Sequence, residues 1–345
     1  MRAVVYDEFR GPIAVREVPD PEPGAGEVVL RVMATGVCRS DWHGWQGHDA
    51  DITSLPHVPG HEMAGVIDSI GSDVEGWAPG DRVTVPFVAG CGMCQSCLAG
   101  NPQVCPNQSQ PGFTHWGSFA ELVRIPFAQS NLVALPDDID FISAASLGCR
   151  FATAHRAVAA QGRVAPGEWV VIHGCGGVGL SAVMIARSVG ARVVAVDVNQ
   201  DALDLAEDVG AEAVVKVDDD VAATVRDLTD GGAHVSIDAI GDPTVVRNSL
   251  TSLRRQGRHV QVGLLVGDRA STPIPMDRVI AHELEIIGSH GAQASVLASL
   301  VEAIAGGDLD PGRLVTRTLT LEQGAERLAG MNESAEAGIA VIDRF

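Results

Sequence analysis

Apolar residues change their spacing along the chain at about residue 144. Before that point they come in short runs, such as Val28-Val29-Leu30-Arg31-Val32 and Met63-Ala64-Gly65-Val66-Ile67, separated by the turn formers Pro23-Gly24 and Pro79-Gly80-Asp81. Short apolar runs punctuated by Gly and Pro predict many short strands, a β-barrel-like domain. Around Ala144 the pattern becomes Ala-rich and helical, and from Glu168 strands and helices alternate. Strands are predicted over 169–173, 192–197, 213–217, 234–239, 257–262 and 284–288, with helices over 180–189, 201–209, 221–228 and 245–253. Apolar strands joined by crossover helices imply a doubly wound parallel sheet. A helix (292–305), a strand (315–319), a helix (322–329) and a strand (338–342) follow. The sheet is already complete without them, so this tail is expected to return to the first domain.

The first turn of the alternating region is Gly174-Cys175-Gly176-Gly177-Val178-Gly179, after a predicted strand and opening a helix. That G-x-G-x-x-G string lets the backbone approach a pyrophosphate, while the helix N-terminus supplies amide donors and partial positive charge. Asp197 ends the second strand, 18 residues after Gly179. A carboxylate there accepts from a ribose 2′-hydroxyl and repels a 2′-phosphate, and Val198 and Asn199 supply no arginine to neutralise one, so NAD is favoured over NADP. The plainer alternatives are a tight glycine turn without a ligand and an aspartate that merely caps a helix.

Charge narrows the partners. The formal net charge of −20 leaves no basic stripe for a polyanion, so no nucleic acid is expected. No stretch approaches the ~20 uncharged apolar residues of a membrane span. The start MRAVVYDEF has neither the basic residues nor the apolar run of an export signal, so a cytoplasmic protein is expected, with no membrane partner.

The seven cysteines are an odd number, which speaks against a disulfide framework and for metal or catalytic thiols. Cys91, Cys94, Cys97 and Cys105 place four thiols within 15 residues of a Gly-, Pro-, Asn- and Gln-rich segment, a set suited to a closed tetrahedral structural zinc. An iron–sulfur cluster is the rival occupant, disfavoured by the spacing. Cys38, Cys149 and the His61-Glu62 pair are further candidates. Two cysteines and a histidine bind zinc and leave a fourth position for water or substrate, but spacing alone does not bring them together.

The motifs GVCRSDWH (36–43), PGHEMAGVI (59–67), GDRV (80–83), the four-cysteine segment, LGCRFATAHRA (147–157), GCGGVGL (174–180) and VDVN (196–199) occur in the order of the zinc-containing medium-chain alcohol dehydrogenases. The chain resembles that family through essentially its whole length. The resemblance implies a GroES-like β-barrel catalytic domain (1–148, completed by 289–345) with a doubly wound Rossmann coenzyme domain (149–288). It implies two zinc ions per chain and NAD, acting on a small-molecule alcohol, aldehyde or ketone.

By resemblance Cys38, His61 and Cys149 ligate the catalytic zinc, with Glu62 as an alternative or supporting carboxylate and Asp41 orienting His61. Ser40 resembles the hydroxyl that accepts the substrate proton, and His43 the outer end of a relay through the nicotinamide ribose. Arg39 is similar to the residue that grips the pyrophosphate. Gly174, Gly176, Gly177, Val178, Gly179 and Asp197 resemble the cofactor loop and ribose contact, and Thr153 with Val262, Gly263 and Leu264 the nicotinamide contacts. Trp42, Phe87, His290 and Trp45 would line the alcohol pocket.

Two departures stand out. Arg150 occupies a position where many relatives carry glycine, which implies a more polar pocket floor or altered ring binding. The segment between Cys105 and Phe113 is short, like that of the tetrameric microbial forms, and implies a homotetramer. Two other functions remain open on sequence: a zinc-free quinone or enoyl reductase of the same superfamily, and a non-catalytic NAD-binding protein.

Overall fold

The computed structural model describes residues 1–217, 220–333 and 336–345. The chain divides into two compact units, one comprising Met1–Ala152, Gly291–Ala335 and Ile339–Phe345, the other Thr153–His290 and Glu336–Gly338. In chain order the strands are β1 (Arg2–Tyr6), β2 (Ile13–Glu17), β3 (Val28–Val37), β4 (Met63–Ile70), β5 (Arg82–Thr84), β6 (Leu122–Ile125) and β7 (Val133–Ala134). They are followed by β8 (Trp169–His173), β9 (Arg192–Asp197), β10 (Ala213–Lys216), β11 (Ala233–Asp238), β12 (Leu253–Gln261), β13 (Glu285–Gly288), β14 (Val315–Thr320) and β15 (Ile339–Arg344).

The first unit is organised on β3. The sheet runs β14-β15-β3-β4-β5-β7, and β6 also pairs with β3. Residues 28–31 of β3 pair with β6 and residues 35–37 with β15, so one strand holds three neighbours and the sheet curls around it. Inward residues Val28, Leu30 and Val32 meet Met63, Ile67, Val83, Val123 and Ile125 in one core. A second core gathers Val37, Trp42 and Phe119 with Leu321, Leu328 and Ile342 from the tail. Burying these side chains anchors both flanks of Cys38, because Val37 and Trp42 lie on either side of it; each contributes on the order of 1.5–3 kcal/mol.

The second unit is a six-stranded sheet of order β10-β9-β8-β11-β12-β13 with every pair parallel. The strand order reverses beside β8, and ligands of such sheets bind outside the carboxyl ends of the strands at that point. Trp169, Val171, Val194, Val196 and Val215 pack with Val221 and Val225, so the strands read as continuous apolar runs because both faces are covered.

Candidate functional site

The helix α1 (Arg39–Trp45) begins where β3 ends, with Cys38 as its N-cap residue. Asp41, in its first turn, is buried, and its carboxylate accepts from the backbone N–H of Cys38 at 3.0 Å, the N–H of Gly60 at 3.0 Å and His61 Nδ1 at 2.7 Å. A single side chain therefore ties the Cys38 segment to the His61 segment and fixes the His61 ring. Burial alone would lower the His61 imidazole, but the adjacent Asp41 carboxylate outweighs it and holds the group well above its ordinary value.

The third segment joins through Glu62 and Arg150. Glu62 Oε1 accepts from the Arg150 backbone N–H at 2.6 Å, and its Oε2 pairs with the Arg150 guanidinium. Arg150 Nη1 also donates to Val37 O at 3.2 Å, returning to the Cys38 segment. Gly36 makes room for this pair: a Cβ there would collide with Arg150 Nη2 and Glu62 Oε2. Burial pushes the Glu62 carboxyl up, against the opposing pull of Arg150. Cys149 and Arg150 lie in a π-helical turn, Leu147–Phe151. Such turns recur at functional sites, where the extra residue re-aims neighbouring side chains.

The donor atoms of Cys38, His61 and Cys149 all lie within 4.8 Å of one another, and the three residues are buried. Cys149 donates its proton toward Cys38, drawing the Cys38 thiol well below its ordinary value while Cys149 itself is raised. His61 Nε2 is buried with no hydrogen-bond partner among the described residues. An orphaned imidazole nitrogen facing two thiols fits a metal ion, since leaving it unmatched costs roughly 1–3 kcal/mol of desolvation. Two sulfurs and one nitrogen leave one tetrahedral position open. Glu62, counted with the ligands on sequence, is not in this donor group: both its oxygens are engaged by Arg150. Arg150 in turn is directed at Glu62 and Val37 O.

We expect Arg150→Ala to destabilise the fold by about 3–5 kcal/mol, because it strands Glu62 as an uncompensated buried charge. Arg150→Met combined with Glu62→Met should recover most of the loss in denaturant unfolding. A single variant as stable as the parent would show that the pair does not hold the segments together.

The second donor group is Cys91, Cys94, Cys97 and Cys105. Their sulfurs stand 3.5 Å (94–97), 3.6 Å (94–105), 3.5 Å (91–105) and 4.0 Å (91–97) apart. A tetrahedron with Zn–S bonds of ~2.3 Å has edges of ~3.8 Å, so the spacing fits. Cys94 caps the short helix Gln95–Leu98, and Cys105 closes a 3-10 turn, Pro102–Val104. N–H groups of Met93 and Cys94 lower Cys91 to about 6, whereas burial raises Cys97 to about 12. Thiols this close ionise together only around a cation. The lobe has little else to hold it, since Met93, Leu98 and Val104 are exposed.

In the second unit Gly174 has φ +94°, and a Cβ on Gly179 would strike Gly174 O, so neither tolerates a side chain. A Cβ on Gly176 would meet open space instead, the kind of cradle a bound group fills. The helix Gly177–Ser188 starts there with Gly176 at its N-cap and includes Val178 in its first turn. Asp197 accepts from the backbone N–H groups of Cys175 at 2.6 Å and Asn199 at 2.9 Å, which sets its carboxylate beside the loop. Val262 and Gly263 both donate to Asp238 O, and Leu264 follows half-exposed. Thr153 Oγ1 is buried without a hydrogen-bond partner among the described residues.

Of the remaining sequence candidates, Ser40 is half-buried and His43 lies three residues on in α1, hence on the same face. Arg39 lies 4.4 Å above the Trp42 ring and donates to Met331 O. Phe87 stands edge-on to His61 at 5.8 Å. Trp45 is bound to Gly11 O and packs in the core with Trp42, which gives it a structural task. His290 is exposed at the far end of the second unit's span. Sequence reasoning missed Phe113, whose ring lies 5.1 Å from His61, and His48, which bonds His43.

Known proteins place this geometry. The profile of the alcohol dehydrogenase GroES-like domain matches residues 24–137, and that of the zinc-binding dehydrogenase matches residues 177–306. An alcohol dehydrogenase of Geobacillus stearothermophilus is 37% identical over 291 residues, 84% of each chain. The solved alcohol dehydrogenase of Aeropyrum pernix superposes with a TM-score of 0.91 at 32% identity, covering 99% of this chain and 100% of its own. A structure described as an NAD-dependent alcohol dehydrogenase gives 0.90 at 33%, covering 100% of both. The protein is thus an oxidoreductase with a GroES-like unit and a Rossmann unit. More specifically, the chain belongs to the zinc-binding alcohol dehydrogenase family. No helix among the described residues is long and apolar enough to cross a membrane.

Proposed function

We propose that the protein is an NAD-dependent zinc alcohol dehydrogenase that interconverts a small alcohol with its aldehyde or ketone. The observation that carries this reading is the buried trio Cys38, His61 and Cys149 with His61 Nε2 unpartnered. Those residues hold one zinc, and Cys91, Cys94, Cys97 and Cys105 hold another. When bound, zinc supplies Lewis acidity to the substrate oxygen, and NAD supplies the hydride acceptor.

The chain's own residues do the rest. Asp41 keeps the His61 proton on Nδ1, so Nε2 presents its lone pair. Arg150 occupies Glu62 and keeps a second carboxylate off the open position. Phe87 and Phe113 set apolar rings against His61, with Trp42 as a further candidate for the alcohol pocket. Ser40 Oγ takes the substrate's hydroxyl proton, and His43 stands at the outer end of the relay that carries it away. The Gly174–Gly179 turn cradles the cofactor's pyrophosphate, Asp197 binds its ribose, and Thr153 with Val262–Leu264 contacts the nicotinamide. The short segment from Cys105 to Phe113 favours a homotetramer.

Purified protein should contain about two zinc per chain and reduce NAD with a panel of short, branched and benzylic alcohols. NAD should exceed NADP by orders of magnitude in kcat/KM, and Asp197→Gly should narrow that gap. Protein prepared without chelator that holds no zinc, or that leaves every alcohol untouched, would refute the proposal.

A further inference from the structure

The turn that ends α1 does more than stop a helix. Gly47 N donates to Gly44 O at 2.9 Å and His48 N donates to His43 O at 3.0 Å, with Gly47 at φ +75°. This pair of bonds, from the first and second residues past the cap back onto the last turn, is a Schellman motif. Only glycine enters that left-handed conformation without strain, and a Cβ at Gly47 would also press on Phe9 at 3.0 Å. The motif folds His48 back over His43, and the two Nδ1 atoms meet at 3.0 Å. Trp42 lies edge-on to both rings, at 5.1 Å from His43 and 5.9 Å from His48, each at 73°. One buried indole therefore backs both imidazoles. His43 is half-buried and His48 exposed, so the pair runs from the protein toward solvent. Charged groups nearby include Arg39 over Trp42, Arg327 of the packed helix Leu321–Ala329 beside Arg39, Asp41 in the first turn, Arg10, which donates to Gln46 O, and Asp49 and Asp51 in the following turn.

We propose that His48 is the outer member of the proton path, taking from His43 the proton that the alcohol loses and releasing it to water. The inference rests on the reading of Ser40 and His43 given above. A proton arriving at His43 Nε2 makes that ring cationic. The Nδ1–H bond of His43 then breaks as an Nδ1–H bond forms on His48, and the His48 cation gives its Nε2 proton to water. One proton enters from Ser40 and one leaves to solvent, and both rings recover their starting tautomers by exchange.

The test uses the zinc-loaded enzyme with NAD under conditions where hydride transfer limits turnover, and compares His48→Ala, His43→Gln and the double variant. His48→Ala should lower kcat roughly 3- to 10-fold at about pH 6, where water accepts a proton poorly, and little at about pH 9, with KM for the alcohol unchanged. Added imidazole should restore the lost rate, which it would not do for a merely structural residue. The double variant should be no slower than His43→Gln alone. Imidazole nitrogen NMR of the zinc-loaded, NAD-free protein should show the His43 titration altered by His48→Ala.

If His43→Gln is slow while His48→Ala matches the parent at about pH 6, His48 is not in the path and the inference falls alone. If His43→Gln is itself unchanged, the relay reading falls and this inference with it. Additive losses in the double variant, or an unaltered His43 titration, would also overturn it.

Discussion

Cys97→Ser should lose about one zinc per chain and unfold far earlier than the parent on heating. The four-thiol lobe exposes its larger apolar side chains Met93, Leu98 and Val104, so the ion takes the place of an apolar core. Structural zinc contributes on the order of 10–16 kcal/mol in isolated zinc-finger peptides, an upper bound for one lobe of a larger protein. Cys149→Ser should behave oppositely. It should lose the other zinc and nearly all activity, while the lobe and its unfolding temperature stay close to the parent, because Asp41, Glu62 and Arg150 still hold the three segments together. Metal analysis with thermal unfolding, with and without chelator, checks both variants. A Cys97→Ser protein that keeps two zinc and the parental unfolding temperature would sink the assignment of that lobe.

Fold and sequence agree best where periodicity is strongest. The strands at 169–173 and 192–197 and the helix at 221–228 occur at the predicted bounds, since buried parallel strands read as unbroken apolar runs. The disagreements have local causes. The helix after β8 starts at Gly177 and not at Leu180, because the glycines that read as a turn also form its first helical turn. β12 begins at Leu253, four residues before Gly257, and its polar start Arg254-Arg255-Gln256 hides it. Gln256 takes φ +58° there, and the pairing with β11 shifts register. The Ala-rich stretch near residue 144 is not one helix: π-helical turns at Leu147–Phe151 and Arg156–Gln161 flank Ala152–His155. No side-chain periodicity announces such an inserted residue.

The candidate site was legible as a set of residue types and not as a constellation. Four closely spaced cysteines and a glycine loop between a strand and a helix carry their geometry in their spacing. Cys38, His61 and Cys149 do not, and were grouped by resemblance. What brings them within reach of one another is two carboxylates, each three or fewer residues from a ligand. Asp41 bonds the segments of Cys38 and His61, and Glu62 bonds the segments of His61 and Cys149. Arg150 closes the triangle through Val37 O, in the space that Gly36 leaves by having no side chain. Nothing in the sequence pairs Arg150 with Glu62, 88 residues away. His48 was invisible for a similar reason, since only the Schellman turn at Gly47 sets it on His43.

Ser40→Ala should lower kcat for alcohol oxidation by about 10²–10⁴, the range for loss of a positioned acid–base group. Ser40 lies in the first turn of α1, two residues from Cys38 and one turn before His43, and is half-buried. On the proposed relay, its removal takes away the first acceptor of the substrate proton, upstream of the two imidazoles. Ser40→Thr keeps a hydroxyl on the same backbone and should retain most of the rate. Zinc content should stay at about two per chain in both variants, since Ser40 bonds none of the donor residues. The loss should appear in kcat and kcat/KM together, because the interaction is made only as the proton moves. Imidazole, which should help His48→Ala, should help less here, because Ser40 stands at the inner end of the proposed path. A Ser40→Ala enzyme whose hydride-transfer-limited rate lies within about twofold of the parent would take Ser40 out of the mechanism and leave His43 and His48 without a proton to carry.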